Sequence, residues 1–275
     1  MKIDFHTHGK LAKRLPFSPA YTDWLFAEAE QSGLDGLCLT EHFNTWGFEE
    51  VYGYIRERYS QDGDCFRTQS GFRIFPGMEV DIEEGGHILV IGPYDAVLEM
   101  NRRLEPYKEK GHFLPLAQLE QMADGYPVLL GAGHPYREGG TIPKLEEGLL
   151  KRFDFLDLNG KDLALHREIT IRQMEALSRR LRRPLAAGSD THQSFQYGCV
   201  WNEFERDCTT VEELRREIAD VSEDETGILR GRWRIHIAET VEFQVKTAGI
   251  LKRALKEIHS LGGDYVSVLL KGAEI

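Results

Sequence analysis

The sequence has no long hydrophobic run. Nothing in it approaches the ~18 apolar residues of a membrane span, and Met1-Lys2-Ile3-Asp4 leads straight into a polar, His-rich motif rather than a leader. No membrane partner is expected, and a soluble cytoplasmic chain is. Cysteine is sparse: Cys38, Cys65, Cys199 and Cys208 are scattered without CxxC spacing in a chain too long to need staples, so reduced thiols are expected in place of a disulfide framework. Positive charge is also short, 34 Lys and Arg against 45 Asp and Glu for a net charge of -11. That balance offers no broad basic surface and argues against long DNA or RNA as a partner, while a small phosphorylated substrate drawn to bound metal ions is compatible with it. Internal repeats, low-complexity tracts and Pro-rich or Gly/Ser-rich linkers are missing too. A chain of 275 residues, 41% of them hydrophobic, is then expected to form one domain around one large core.

What is present is a rhythm of short apolar runs between amphipathic segments. The runs Asp35–Thr40, Tyr126–Ala132, Phe153–Leu158 and Pro184–Gly188 have the length and flanking turns of buried parallel strands. Ser18 before Pro19 reads as an N-cap with proline at the first helical position; Leu25 and Ala29 share a face, and Gly33 can end that helix. Met174, Leu177 and Leu181 form another stripe. Strand and helix alternate, so the class is α/β. Most strand candidates are followed at once by reactive side chains, which favours a barrel over an open sheet, because a barrel delivers every strand end to one rim. Beyond about Asp207 this rhythm stops, and Ala248, Leu251, Leu255 and Ile258 repeat at helical spacing. The expected organisation is a single barrel domain over 1–275, with a core of about 1–207 and a helical segment of about 208–275 packed against it.

His6 and His8 alternate in a strand, so both imidazoles point to one face and can hold one metal ion. Such a pair alone is as often two solvated histidines; its weight comes from the rest of the chain. Glu79 and His87 lie on two runs that read as paired strands, and a carboxylate at Glu79 can bridge two metals ~3.5–4 Å apart. His134 follows a strand in Gly133-His134-Pro135, His42 ends Thr40-Glu41-His42, and Asp190 and His192 end Gly188-Ser-Asp-Thr-His192. Six of the ten histidines thus sit at strand ends together with two carboxylates. Histidines mixed with carboxylates favour Zn, Mn or Fe over Mg or Ca. Asp4 is a candidate to orient a ligand imidazole, Asn159 to do the same or to cap a loop, and Arg137 to clamp phosphate with two parallel N–H donors, unless it is a solvated surface arginine.

In content and order these motifs resemble the polymerase and histidinol phosphatase (PHP) superfamily over roughly Met1 to Asp207. The residues that carry the resemblance are the DxHxH of Asp4, His6 and His8, the Thr-Glu-His ending at His42, the GxE ending at Glu79 with its later His87, the His-Pro of His134, and the Ser-Asp-x-His of Asp190 and His192. The resemblance implies a distorted seven-stranded TIM-like (β/α)7 barrel carrying two or three divalent transition-metal ions. It implies one ion on His6, His8, Glu79 and Asp190, a second on Glu79, His87 and His134, and a third with His42 and His192. One departure stands out: the family usually supplies a further His or Asp a few residues after its HxH, and Gly9 to Ser18 contains no His, Asp, Glu or Cys. Lys10 or Lys13 is a candidate to put a fixed positive charge near that place and help hold a phosphate; solvated surface lysines are the alternative.

A metal pair lowers the pKa of water from ~15.7 towards ~7 and clamps the attacking and leaving oxygens of a phosphoryl group. The expected activity is a metal-dependent phosphoesterase, a phosphatase or phosphodiesterase on a small phosphorylated substrate, with a bridging hydroxide held at Glu79 as nucleophile. His192 is the candidate proton donor if no third ion binds, and a ligand if one does. Histidinol phosphatase is the named activity of the resemblance, but the histidine lacking after His8 separates this chain from it. The alternatives are an amidohydrolase-like hydrolase of a C–N or C–O bond and a non-catalytic metal-binding module.

Overall fold

The runs Gly-Leu-Cys-Leu, Leu-Leu-Gly-Ala-Gly and Phe-Leu-Asp-Leu-Asn are buried at every position, as strands covered on both faces must be. In the computed structural model, which describes residues 1–223 and 229–273, they belong to a nearly closed sheet. Its strands follow one another in chain order: β1 (Lys2–Thr7), β2 (Gly36–Leu39), β3 (Arg73–Asp81), β4 (His87–Ile91), β5 (Leu129–Gly133), β6 (Phe155–Asn159) and β7 (Leu185–Gly188). The first three are parallel, as are the last three, while β4 runs antiparallel to both neighbours. That reversal is the distortion: β3 and β4 form a hairpin, with Asp81 opposite His87 and Glu79 opposite Leu89.

The sheet returns on itself through two backbone bonds, Asp190 N to His6 O at 2.8 Å and His8 N to Thr191 O at 2.9 Å. Lower down a side chain closes the gap. Asn202 lies in β8 (Val200–Glu203), antiparallel to β1; its amide donates to Ile3 O and Ala187 O and accepts from Ala187 N, standing in for a missing backbone ladder between β1 and β7.

Helices follow the strands: α1 (Pro19–Gln31), α2 (Phe48–Arg58), α3 (Tyr94–Arg103), α4 (Leu116–Ala123), α5 (Glu147–Leu150) and α6 (Gly160–Leu181). Ser18 caps α1 by accepting from Tyr21 N, with Pro19 in its first turn, and Gly33 beyond its end takes a left-handed φ of 87°. Inside the barrel an apolar plug of Ile3, Phe5, Cys38, Phe75, Leu89 and Phe155 is joined by Val211, Leu214 and Ile218 of α7 (Val211–Ala219). This helix closes the floor, where Met1 bonds to Phe204 O at 2.8 Å. A register shift between Asp4 and Thr7 lets Ile3 and Phe5 point into that plug while His6 and His8 turn to the cluster above it. The four cysteines are buried and unpaired.

The tail departs from the helical expectation in one respect. It holds α8 (Val241–Ser260) and α9 (Tyr265–Ala273), but also β9 (Arg234–Ile237), which pairs antiparallel with β8, and a small pair, Val221–Glu223 with Leu229–Gly231. Strands of three or four residues are too short to carry a readable period. No helix among the described residues is long and apolar enough to cross a membrane.

Candidate metal centre

Every candidate ligand reaches the rim where the strands end. His6 and His8 leave β1, His42 follows β2 and is bridged to Glu79 on β3, His87 opens β4, His134 follows β5, and Asp190 and His192 follow β7. Two of them hold unusual backbone: His134 has φ 29° and Asp190 φ 59°, conformations that cost about 1–3 kcal/mol for a residue with a side chain and that cluster at functional sites. Gly188 is obligatory just before, since a Cβ there would collide with His6 Cβ and with Asp157 Oδ1.

Glu79 is the hub. Its Oε1 lies 3.0 Å from His134 Nε2, 2.5 Å from His87 Nδ1 and 3.7 Å from His6 Nε2; its Oε2 lies 2.7 Å from His42 Nδ1 and 3.5 Å from His8 Nε2. Asp190 Oδ1 lies 3.3 Å from His8 Nε2 and 3.8 Å from His6 Nε2. Three groups of donor atoms are compact enough to hold an ion: His6, His8 and Asp190; His6, Glu79 and His134; and His8, His42 and His192. They share His6 and His8, and a ring nitrogen has one lone pair, so the three cannot fill independently.

The donor set fits a divalent transition ion on an observation internal to the cluster. His6 Nε2, both ring nitrogens of His8, His42 Nδ1 and Glu79 Oε2 are buried with no hydrogen-bond partner among the described residues. A buried polar atom left without a partner costs about 1–3 kcal/mol. His8 Nδ1 faces Glu41, and the other four converge in a set that matches imidazole and carboxylate coordination.

Charge follows the same pattern. Burial pushes the Glu79 carboxyl up, but His87, His42 and His6 overcome it and hold Glu79 well below the usual range. Burial also opposes ionisation of Asp190, and Arg137 outweighs it. Burial depresses His6, yet Glu79 and Asp157 raise it on balance; His87, similarly placed against Glu79, rises to about 10. His42 is pushed down to about 4, and His134 and His192 are lowered, chiefly by burial.

A ring of carboxylates fixes the ligands from behind. Asp157 Oδ2 sits 2.9 Å from His6 Nδ1, turning Nε2 to the cluster, and also accepts from His134 N and Asn159 Nδ2. Glu41 accepts from Gly9 N and His42 N, with Oε1 3.7 Å from His8 Nδ1. Asp81 Oδ1 lies 2.8 Å from His87 Nε2. These carboxylates were not among the sequence candidates. Their signals were present: an aspartate inside the buried strand Phe155-Leu-Asp-Leu-Asn159, a glutamate between Thr40 and His42, and an acid two residues after Glu79 on the same strand face.

The remaining candidates find their partners within the protein. Asp4 does not orient an imidazole; it accepts the backbone N–H of His6 and Ser189, and burial raises it to about 7. Asn159 both caps α6, accepting from Lys161 N, and donates to Asp157. Arg137, the candidate phosphate clamp, is spent on protein: it donates to Asp190 Oδ2 at 2.6 Å, Asn159 Oδ1 at 2.7 Å and Asp162 Oδ1 at 3.1 Å. Lys10 turns its amine into Thr45 Oγ1 and the carbonyls of Lys13 and Trp46, and Lys13 pairs with Asp81 at 3.0 Å. Neither fills the place of the missing ligand. His192 Nε2 is 3.3 Å from His42 Nε2, and burial lowers its pKa well below that of a free imidazole.

The profile of a family described as PHP-associated matches residues 169–220. No curated protein matches the sequence. Among solved structures, PsfC from Pseudomonas syringae PB-5123 superposes with a TM-score of 0.71 at 22% identity, over 92% of this chain and 98% of that one. Endonuclease Q from Pyrococcus furiosus, described as lesion-specific, gives 0.61 at 21% identity; the match covers 85% of this chain but only 57% of that one. An endonuclease Q complex with a 27-mer duplex carrying an abasic lesion at the active site also gives 0.61 at 21% identity, over 80% of this chain and 57% of that one. The fold is thus the PHP-type barrel with a helical C-terminal part.

The endonuclease Q likeness overturns the expectation that long nucleic acid is an unlikely partner. That protein is solved with a 27-mer duplex substrate, and a net charge summed over a whole surface does not set the sign beside the cluster. Here Lys13, Arg14, Lys108 and Lys110 line one hollow at the rim, and Lys252 and Lys256 another.

Proposed function

We propose that this chain, a PHP-type barrel in fold with a PHP-associated segment, is a metal-dependent phosphoesterase. The convergence of five imidazoles on the two oxygens of Glu79, with buried lone pairs left facing one another, carries this assignment. Glu79 would bridge two ions, His6, His8 and Asp190 completing one set and His87 and His134 the other. His42 and His192 would hold a further ion at the open edge without His8, whose inward lone pair goes to the first set. Bound divalent ions supply a water acidic enough to ionise near neutral pH and positive charge against the phosphoryl oxygens.

The chain's own residues do the positioning. Asp157 and Asp81 each hold the outer side of an imidazole, which fixes the tautomer and the direction of the inward nitrogen, and Glu41 places a negative charge behind His8. Arg137 neutralises the outer oxygen of Asp190 and leaves Oδ1 turned to His6 and His8. His192 acts as a ligand rather than as the proton donor; protonation of the leaving alcohol falls to solvent.

The test is hydrolysis of p-nitrophenyl phosphate and bis(p-nitrophenyl) phosphate by full-length protein reconstituted with Zn, Mn or Fe, beside Glu79→Gln. Turnover of either ester, lost in the variant while its folded spectrum is kept, is expected; the preferred ester separates monoesterase from diesterase. Metal-loaded protein inert on both, or full activity in Glu79→Gln, would overturn the proposal.

A further inference from the structure

Helix α8 presents Val241, Ala248 and Leu255 to the protein. Lys252 lies four residues after Ala248 and three before Leu255, so it occupies the inward face, where the pattern calls for an apolar side chain. It is half-buried, and it has no hydrogen bond or ion pair among the described residues. The helix is held there by packing on α6 and on the Ser194–Gln196 turn that follows His192. Its inward face opens into a cavity of about 360 Å³ walled by Lys13, Arg14, Lys252 and Lys256 on one side and by His42 and His192 on the other. Arg14 and Lys256 likewise have no ion pair among the described residues, while Lys13 is committed to Asp81.

Three uncommitted cations around one hollow, in a chain with a net charge of -11, are disfavoured by mutual repulsion and, for Lys252, by burial. An anion resolves both. The phosphoryl group that reacts would sit against the ions held at Glu79, so an anion held by the lysines of α8 at the far edge of the cluster would be a different one.

We infer that the cavity between α8 and His42/His192 is a subsite for a non-scissile phosphate of the substrate, held by Lys252, Lys256 and Arg14. This rests on the phosphoesterase assignment for its role in turnover, though not for binding itself. Two sources carry the same chemistry: a second phosphate on a small organic bisphosphate, and the phosphodiester of a neighbouring nucleotide. Because the subsite is built on α8, the C-terminal segment supplies specificity to a centre that the barrel supplies with ligands.

The test uses three matched probes: thymidine 5′-(p-nitrophenyl phosphate), the same compound with an added 3′-phosphate, and its extension by one 3′-linked nucleotide. Binding is measured calorimetrically on the full chain with chelator present, and kcat/KM on the metal-loaded chain, for wild type, Lys252→Gln and Lys256→Gln. A charge-assisted contact to phosphate predicts that the added phosphate tightens binding roughly tenfold or more in wild type, and that Lys252→Gln removes most of this gain, in KM rather than kcat. Lys256→Gln, at an exposed position, removes part of it and guards against misfolding of the first variant. A gain with the terminal phosphate alone identifies a bisphosphate source; an equal gain with the dinucleotide identifies a polynucleotide. No gain in wild type, or the same gain in wild type and both variants, would overturn the subsite. Metal-free binding that follows these rules without turnover would keep the subsite and discard the phosphoesterase.

Discussion

Replacing Asp157 by asparagine keeps the shape of a buried side chain and removes its charge. In the native protein Asp157 Oδ2 serves three partners, His6 Nδ1 at 2.9 Å, His134 N at 3.1 Å and Asn159 Nδ2 at 3.0 Å. Asparagine can still accept with its oxygen, but it no longer raises the basicity of His6 or fixes which ring nitrogen faces Glu79. Loss of such an outer partner costs about 10–100-fold in metal affinity, or ~1.4–2.7 kcal/mol. By linkage the same energy is lost from the stabilisation that a fixed, saturating metal concentration confers. At about 2–4 °C per kcal/mol for a chain of this size, the metal-induced rise in Tm should shrink by roughly 3–11 °C. The assay is a pair of thermal melts, with chelator and with buffered Zn or Mn, for wild type and Asp157→Asn, together with a competition titration against a chelator of known affinity. Equal metal-induced shifts in the two proteins, with equal competition curves, would show that Asp157 only packs beneath the cluster and would refute its positioning role.

Other perturbations separate structural from functional charge. Arg137→Met leaves buried Asp190 without its counter-ion, a loss of about 3–5 kcal/mol for a broken buried pair; because a bound cation also neutralises Asp190, the Tm deficit should be larger with chelator than with metal, and equal deficits would contradict the positioning of Asp190 by Arg137. Lys252→Met removes an unpaired, half-buried cation and should stabilise the protein by roughly 1–2 kcal/mol while weakening binding of a doubly phosphorylated probe; a destabilised variant in chemical denaturation would contradict this. Glu120, whose oxygens are buried and have no hydrogen bond among the described residues, is pushed up to about 7 from 4.5 by burial, with Arg152 opposing. The folded state then holds the proton that the unfolded state releases, so Glu120 favours folding at low pH and this contribution is lost as pH rises from about 4.5 through about 7. After discounting for its half-exposed partner Arg152, Glu120→Gln should gain about 1–2 kcal/mol over wild type at pH 8 and nothing below pH ~4.5; a gain independent of pH would be evidence against a raised carboxyl.

The legible part of the sequence was the part written in local pattern. Buried parallel strands announce themselves as uninterrupted apolar runs, and Ser18-Pro19 with Gly33 bounds α1 as local capping chemistry requires. Residues that needed three-dimensional partners were harder to read. Asp157 looked like one polar residue in a strand until His6, more than a hundred positions earlier, was set beside it. Arg137 suggested a clamp because of its neighbour His134, yet its partners Asp162 and Asn159 come from the following strand and helix, and Asp190 from beyond β7. The β8 and β9 strands are too short to have a period, and the bridging of the lower gap between β1 and β7 by one amide, Asn202, has no signature along the chain. Lys252 was hidden for the opposite reason: a lysine on an amphipathic helix looks ordinary until the face it occupies is known to be the inner one.

The most direct test of the central claim is metal content set against activity in the same samples. Full-length protein purified without chelators would be assayed by elemental analysis and for hydrolysis of bis(p-nitrophenyl) phosphate and p-nitrophenyl phosphate, then stripped and reloaded stepwise. The account predicts about two or more transition-metal ions per chain, activity that falls to background on stripping, and recovery in proportion to the metal restored. Protein that neither carries nor takes up such ions, or hydrolysis that survives their removal, would contradict it.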